Sequence, residues 1–372
     1  MRIRYSTNEK NGKLVKKAVV YTQNEHSINF SDVEIEAVSI VERLREKGYE
    51  TYIVGGAVRD LILGKKPKDF DIVTDASPIR IKKIFYNSRI IGHRFRLVHV
   101  YFGTKTFEVS TFRSVKDGLS GNTFGTIEED VLRRDFTINA LFYDPINQVV
   151  VDYVDAMKDI KKKNINPIIP LSNIFIDDPV RMIRAVKYSV STGFKIPLNV
   201  KWKIKKQAPL LAEISPSRLT EEIFKIINAD RASEIIEKLE DLGLYVYLQP
   251  NAVEFMKQKS DFKARYLESF KRNKLPGEAL SALVRGFLEE NVVWDNDPEN
   301  YKSVFTQARQ FIRPMNPPRV ELERALRLLF NEHGINLKKL RVLERMKNPS
   351  KNSIKKPIKK RIGLKEIPQE NK

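Results

Sequence analysis

Cysteine is absent from the 372 residues, which excludes disulfide staples, cysteine-ligated zinc and a thiol nucleophile. Histidine is scarce, and His26, His93, His99 and His333 lie scattered, so a His-rich metal site is not expected. No run approaches the roughly 18 to 20 apolar residues that span a bilayer. The opening stretch MRIRYSTNEKNGKLVKK is basic and has no apolar core of a secretory signal. No membrane partner is expected, and cytoplasmic residence is. Acidic side chains are the minority: 47 Asp and Glu face 67 Lys and Arg, a net charge of +20. That excess suggests a polyanion such as nucleic acid or a membrane surface, with a merely solvated basic surface as the plain alternative. Hydrophobic residues, 41% of the chain, suffice for real cores. At roughly 150 residues per domain the length allows two or three domains.

Along the chain, residues 1–27 are polar and basic without sustained periodicity and read as a loosely ordered N-terminal arm. A helix is expected from Ser31, with Glu34 completing a capping box and Val33, Ile35, Val38, Ile40 and Val41 on its apolar face. Strands are expected at Thr51–Val54, Phe70–Thr74, Arg96–Phe102 and Thr106–Thr111, with a helix near 78–86. This is an α/β domain. From about residue 172 the pattern is helix after helix, opened at Asp178-Pro179 and Ser215-Pro216 by a capping residue before proline. Leu322, Ala325, Leu326, Leu329 and Phe330 form one face of a helix at 319–331. Residues 347–372 read as a disordered basic tail of net charge +7.

The sharpest local signal is Gly55-Gly56-Ala57-Val58-Arg59-Asp60, followed by Lys68-Asp69-Phe70-Asp71. The glycines end a strand and open a short helix that stops at Gly64. Such a turn lets a phosphate approach backbone N–H groups, and Arg59 adds a charged donor. An ordinary strand–turn–helix needing glycine for steric reasons is the alternative. Asp69 and Asp71 stand two apart and so share one face of a strand, with Phe70 and Ile72 turned to the core. Adjacent carboxylates repel unless a cation lies between them, and Mg²⁺ binds through carboxylates and substrate phosphates. Glu108 is available as a third carboxylate, enough for two ions that activate a hydroxyl and stabilise leaving pyrophosphate. An acidic solvent face is the alternative.

Arg133-Arg134-Asp135-Phe136-Thr137-Ile138-Asn139 offers guanidinium forks for phosphate and Asp135 and Asn139 for a ribose, or equally a helix cap with solvated arginines. In Asp177-Asp178-Pro179-Val180-Arg181, Asp178 and Arg181 fall one helical turn apart. That acceptor and donor match the Watson–Crick edge of adenine or cytosine. A surface ion pair is the alternative.

Taken in order, VGGAVRDLILG, KDFDIVT, EVSTFR, RRDFTINAL and DPVRMIRAVKY resemble the motifs of class II template-independent nucleotidyltransferases, which include tRNA CCA-adding enzymes and bacterial poly(A) polymerases. The likeness covers about residues 28–245. Three stretches are similar to the poly(A) polymerase branch: Ile90 to Val100, Asn122 to Asp130, and Ile214-Ser215-Pro216-Ser217-Arg218-Leu219-Thr220-Glu221-Glu222. The resemblance implies an α/β nucleotidyltransferase head with a mixed sheet at 28–150. Neck and nucleotide-recognition helices at 151–245 and an RNA-binding helical body at 246–346 would follow. It implies catalytic roles for Asp69, Asp71, Glu108 and Asp135, with the first three binding two Mg²⁺ ions. It implies nucleotide contacts from Gly55, Gly56, Arg59, Arg113, Arg134, Asn139, Asp178, Arg181 and Arg184, and a neck-supporting role for Arg218. The implied activity is AMP addition from ATP to RNA 3′ ends. CCA addition to tRNA is the nearest rival, and an RNA-binding protein on an inactive scaffold the rival of another class. A monomer is plausible. Two features depart from the family pattern: Asp177-Asp178 replaces Glu-Asp, and the loop Ser114–Gly121 is short.

Overall fold

The computed structural model describes residues 2–7, 14–92, 97–114, 123–271 and 278–337. The stretch His93–Arg96, most of the short loop after Ser114 and the basic tail lie outside them. The head is one mixed sheet of nine strands among the described residues: β1 (Arg2–Thr7), β2 (Leu14–Tyr21), β3 (Thr51–Val54), β4 (Asp71–Thr74), β5 (Ser88–Ile91), β6 (Leu97–Phe102), β7 (Lys105–Thr111), β8 (Leu141–Asp144) and β9 (Val149–Asp152). Their spatial order is β1-β2-β9-β8-β3-β4-β7-β6-β5. Only β4 and β7 run parallel; every other pairing is antiparallel.

The central strands are buried on both faces, so alternation sorts their side chains between two cores. Ile53, Ile72, Val98 and Val109 face a large core with the helices α2 (Ile35–Glu46), α3 (Gly56–Ile62) and α4 (Pro78–Ile84). Tyr52, Val54, Val73 and Phe142 face a smaller one, closed by Ile127 and Val131 of α5 (Ile127–Leu132). A one-turn helix α1 (Gln23–His26) precedes them, and α6 (Ala156–Lys162) leads out of the head. The large core runs on without a break into the helical half. There α7 (Ile174–Asp177), α8 (Val180–Thr192), α9 (Leu198–Gln207), α10 (Pro216–Ile227) and α11 (Ala232–Asp241) follow in sequence. The body continues through α12 (Tyr245–Leu248), α13 (Pro250–Gln258), α14 (Ser260–Ser269), α15 (Ala279–Asn291), α16 (Pro298–Phe311) and α17 (Arg319–Glu332). The expected face of α17 is wholly buried. Among the described residues no helix is long and apolar enough to cross a membrane.

Three local expectations need correction. The loosely ordered arm at 1–27 instead contains the hairpin β1–β2, which adds to the sheet edge because β2 pairs with β9. Ala18, Val19 and Val20 are buried there, against a partner some 130 residues on that no local pattern announces. The helix expected at Ser31 begins at Ile35, after a 3₁₀ turn at Phe30–Asp32. Glu34 makes no capping bond; its carboxylate pairs with Lys105 Nζ at 3.0 Å. Ile35, as the first residue of the helix, stands in solvent at 66% exposure rather than on the apolar face.

Candidate active site

The register of three strands builds the floor. Val54 of β3 lies opposite Asp71 of β4, and Asp71 lies opposite Glu108 of β7. The chain therefore leaves β3 at Gly55 directly beside the Asp71 carboxylate. Gly55 has φ +74° and ψ −133°, a backbone state close to glycine-only. A Cβ there would sit 3.8 Å from Asp71 Oδ2 and 4.0 Å from Arg134 Nη1. Phe70 and Ile72 are buried, which turns Asp69 and Asp71 the other way, toward solvent. Asp71 meets water at the floor while protein crowds it elsewhere. That burial, reinforced by Asp69 and Glu108 and opposed by Arg134, raises its pKa to about 6.

Glu108 departs from expectation. It does not line the cavity that holds the other predicted residues. Its register partner in β6 is His99, whose Nε2 lies 3.5 Å from Glu108 Oε1. Among the described residues no three Asp, Glu or His side chains converge closely enough to hold an ion. Asp69 and Asp71 stand in the cavity, and Glu108, opposite Asp71 across the β4–β7 register and close enough to raise its pKa, flanks them.

Arg59, expected to add a charged donor toward phosphate, lines the cavity but is engaged by protein partners. It is buried, and its Nε donates to Asp60 Oδ1 at 2.9 Å while Nη1 donates to Asn139 Oδ1 at 2.7 Å. Asn139 Nδ2 in turn donates to Asp135 Oδ1 at 3.2 Å. Asp60, Arg59, Asn139 and Asp135 form one chain that fixes the Asp135 carboxylate in the cleft. Arg134 is held similarly: Nε and Nη2 donate to Asp130 Oδ2 at 3.1 and 2.8 Å, and Nη1 to the Asn139 carbonyl at 3.1 Å. Asp130 also accepts from the Arg113 backbone N–H.

The opposite wall comes from α7, α8 and α10. Asp178 Oδ1 accepts from the Val180 N–H at 3.2 Å, so it caps the start of α8. Its Oδ2 lies 3.9 Å from Arg181 Nε and 2.6 Å from Arg218 Nη2. Arg181 is buried, donates Nη2 to the Arg133 carbonyl, and leaves Nη1 without a hydrogen bond. Arg184 Nε and Nη2 donate to Glu222 Oε1 at 3.2 and 3.0 Å. Glu222 is 1% exposed, with Lys187 and Lys225 also beside it. Burial works against its charge, yet Arg184, Lys187 and Lys225 together hold its pKa below the ordinary carboxylate range.

These walls enclose one open cavity of about 1540 Å³. It is lined by every predicted site residue except Glu108: Gly55, Gly56, Arg59, Asp69, Asp71, Arg113, Arg134, Asp135, Asn139, Asp178, Arg181 and Arg184. Thirteen Lys and Arg outnumber eight Asp around it, which suits an anionic ligand. Reading the sequence missed Asp130 and Glu222, which position arginines, and the cavity lysines Lys65, Lys66, Lys68, Lys187 and Lys225. The Lys65-Lys66 and Lys68 cluster just before Asp69 was the one available signal.

The comparisons agree with this geometry. Residues 51–166 match the poly A polymerase head domain, and residues 193–256 match a probable RNA and SrmB-binding site of polymerase A. The chain is 40% identical over 261 residues to poly(A) polymerase I of Escherichia coli O6:H1, covering 66% of this chain and 56% of that one. It is 36% identical over 219 residues to the CCA-adding enzyme of Geobacillus thermodenitrificans, covering 57% and 54%. It thus spans about half the length of the curated relatives it matches. A solved structure of Bacillus stearothermophilus CCA-adding enzyme in complex with CTP superposes with a TM-score of 0.57 at 27% identity, over 85% of this chain and 88% of that one. The Gly55 turn, the Asp69–Asp71 pair and the Asp135–Asn139 pair all fall within residues 51–166, the stretch that is similar to the poly A polymerase head domain.

Proposed function

We propose that the protein adds AMP from ATP to RNA 3′ ends and releases pyrophosphate. The observation that carries this reading is the single cavity in which a carboxylate pair, a ribose-binding amide and acid, and a base-reading pair face one another. The donor set fits Mg²⁺: Asp69 and Asp71 are adjacent hard oxygen ligands, and a bound cation would offset the burial and like charges that raise the Asp71 pKa. Bound there, two Mg²⁺ ions would supply activation of the 3′-hydroxyl and neutralisation of the leaving pyrophosphate.

The chain's own residues do the rest by positioning and electrostatics, which dominate phosphoryl transfer. Asp178 accepts from the exocyclic amine of the base and Arg181 donates to its ring nitrogen, with Arg218 keeping the Asp178 carboxylate in place. Asp135, oriented by Asn139 and Arg59, meets the ribose. The Gly55-Gly56 turn, Arg134, Arg113 and the cavity lysines take the triphosphate. No side-chain base is required. RNA is held mainly through phosphates, so its binding weakens as salt rises. Cytoplasmic residence, where ATP and transcripts are at hand, completes the proposal.

A second reading, CCA addition to tRNA, has the likeness to a CTP-bound relative in its favour. The base-reading pair fits adenine and cytosine alike. The neck segment Ile214–Glu222 and the higher identity to poly(A) polymerase I favour ATP. The test offers purified protein, Mg²⁺ and unstructured RNA one nucleotide at a time. Long tails from ATP alone support the proposal. Two C additions and one A on truncated tRNA, without long tails, overturn it.

A further inference from the structure

Strand register lays one row of side chains from the cleft to the edge of the head sheet. Asp71 of β4 lies opposite Glu108 of β7, Glu108 opposite His99 of β6, and His99 opposite Arg89 of β5. Residues paired directly across a sheet point to the same face. The alternate positions Ile72, Val109 and Val98 are buried and Ile90 packs on the same large core, so the row stands on the opposite face. At about 4.8 Å per strand it is about 14 Å long. Tyr101, two residues from His99, shares that face, with its ring edge-on to the imidazole at 6.3 Å. Ser110, two residues from Glu108, also shares it and lines the active-site cavity.

This part of the sheet is covered on one face only. Helix α4 packs on β5, β6 and β7 from the large-core side. Among the described residues no member of the smaller core comes from these three strands. Arg89, Thr106 and Glu108 are exposed, and His99 and Tyr101 are partly so. From Ala76 to Phe107 the chain has no Asp or Glu and seven Lys and Arg. Among the described residues no carboxylate forms an ion pair with Arg89. The Gly55-Gly56 turn follows β3 and Asn139 precedes β8, both on one side of β4, whereas the row leaves β4 on the other. A nucleotide held against β3 and β8 leaves this second side for the strand that brings the 3′-hydroxyl. The order of the row fits that strand: a carboxylate for hydroxyls nearest the cleft, then a guanidinium for phosphate at the edge, with a ring beside them for an unstacked base. A free anion would use Arg89 alone, and an acidic peptide would be repelled by Glu108.

We propose that the open face of β5, β6 and β7 seats the last nucleotides of the RNA on their way to the cleft: the terminal ribose lies over Glu108, a base packs on Tyr101, and Arg89 holds a phosphate. Arg89 and Tyr101 are then positioning residues for the acceptor strand and take no part in holding ATP. The proposal rests on the reading of the protein as an RNA 3′-end nucleotidyltransferase. The experiment uses the full chain with Mg²⁺, ATP and a short single-stranded oligoadenylate. It measures KM for the RNA and for ATP separately, and oligoadenylate affinity by filter binding with polyglutamate as competitor.

Arg89→Gln should raise KM for the RNA about fivefold at 0.1 M salt and reduce the slope of log affinity against log salt by about 0.7, one single-strand phosphate contact. Arg89→Lys should recover part of the loss. Tyr101→Ala should raise KM for the RNA about tenfold, and Tyr101→Phe, which keeps the ring, should stay near the parent. KM for ATP should be parental in all four, a split that a general loosening of the head would not produce. Arg89 is exposed, so its variants test the site even if Tyr101→Ala folds poorly. A parental KM for RNA in Arg89→Gln, an equal rise in KM for ATP, or displacement of oligoadenylate by polyglutamate overturns the proposal. Nucleotide addition by the parent protein separates the two claims. If the parent extends RNA while Arg89→Gln keeps the parental KM for RNA, the β5–β7 site fails and the proposed function stands. If the parent adds no nucleotide but oligoadenylate affinity depends on Arg89 and Tyr101, the proposed function fails and the RNA site remains.

Discussion

The two walls of the cleft are built by opposite means. The floor of the head wall is fixed by backbone: strand register places Asp71 beside Gly55, and a positive φ at Gly55 turns the chain away from it. The neck wall is fixed by charge: Arg218 holds Asp178, and buried Glu222 gathers Arg184, Lys187 and Lys225. A wall held by register keeps its shape whatever the ionic conditions. A wall held by ion pairs responds to pH, to salt and to the loss of one partner. The base is read on the second wall, so nucleotide selection rests on the more adjustable side of the site.

The largest effect is expected on the head wall. Asp71→Ala removes one carboxylate of the pair assigned to Mg²⁺ and should lower kcat by about three orders of magnitude, roughly 4 kcal/mol in the barrier. RNA affinity, measured by filter binding, should be nearly parental, because phosphate contacts lie elsewhere. An Asp71→Ala protein that tails RNA at the parental rate would remove the metal assignment, and with it the functional weight given to this wall.

The same contrast decides what could be read without coordinates. Gly55-Gly56, the i, i+2 pair Asp69 and Asp71, and the i, i+3 pair Asp178 and Arg181 were legible because short spacings fix local geometry. So were the alternation of the central strands and the buried face of α17. What could not be read depends on partners far along the chain. Glu222 is 38 residues from Arg184. Arg59 resembles a free fork until Asn139, 80 residues away, takes its Nη1 donor. Glu108 meets His99 only because β6 pairs with β7 in that register. Spacing supplies the type of chemistry, and tertiary pairing decides which residues of that type are available.

On the neck wall, Glu222→Gln leaves three cations around a neutral amide. Removing one partner of a fully buried pair costs about 3 to 5 kcal/mol. Lys225, half exposed, and Arg184, partly so, can turn toward water, so a loss of about 2 kcal/mol in urea denaturation is expected. The acid response follows from the sign of the shift. The Glu222 pKa is lowered in the folded state, so its contribution is fully present above the unfolded value near 4.3 and fades as pH falls through the lowered folded value. The difference in stability between parent and Glu222→Gln should therefore narrow on acidification below about pH 4. A difference that grows on acidification would contradict a charge-built wall.

Gly55→Ala tests the backbone wall at smaller cost. The side chain has room, with ordinary contact distances to Asp71 and Arg134, so the penalty is conformational, about 1 to 2 kcal/mol. It should be the same in low and high salt, since no charge changes. If the loss shrinks as salt is added, the turn is held by the Asp71–Arg134 field rather than by its φ.

Arg218→Ala should have the smallest effect and the most diagnostic one. Arg218 is well exposed and its bond to Asp178 is short, at 2.6 Å, but exposed ion pairs contribute only about 0 to 1 kcal/mol. Stability should hardly move. Asp178 retains the Val180 cap and the nearby Arg181, so it remains in the cleft with more freedom. The consequence belongs to nucleotide binding: KM for ATP should rise by about threefold with kcat unchanged, the pattern of a lost interaction common to ground and transition states. The increase should shrink toward the parental value as salt is raised, because an exposed pair is screened within about 10 Å at 0.1 M. Gly55→Ala should show no such salt dependence. An Arg218→Ala protein that loses kcat with KM unchanged would place Arg218 in the transition state, and the neck wall would then do more than read the base.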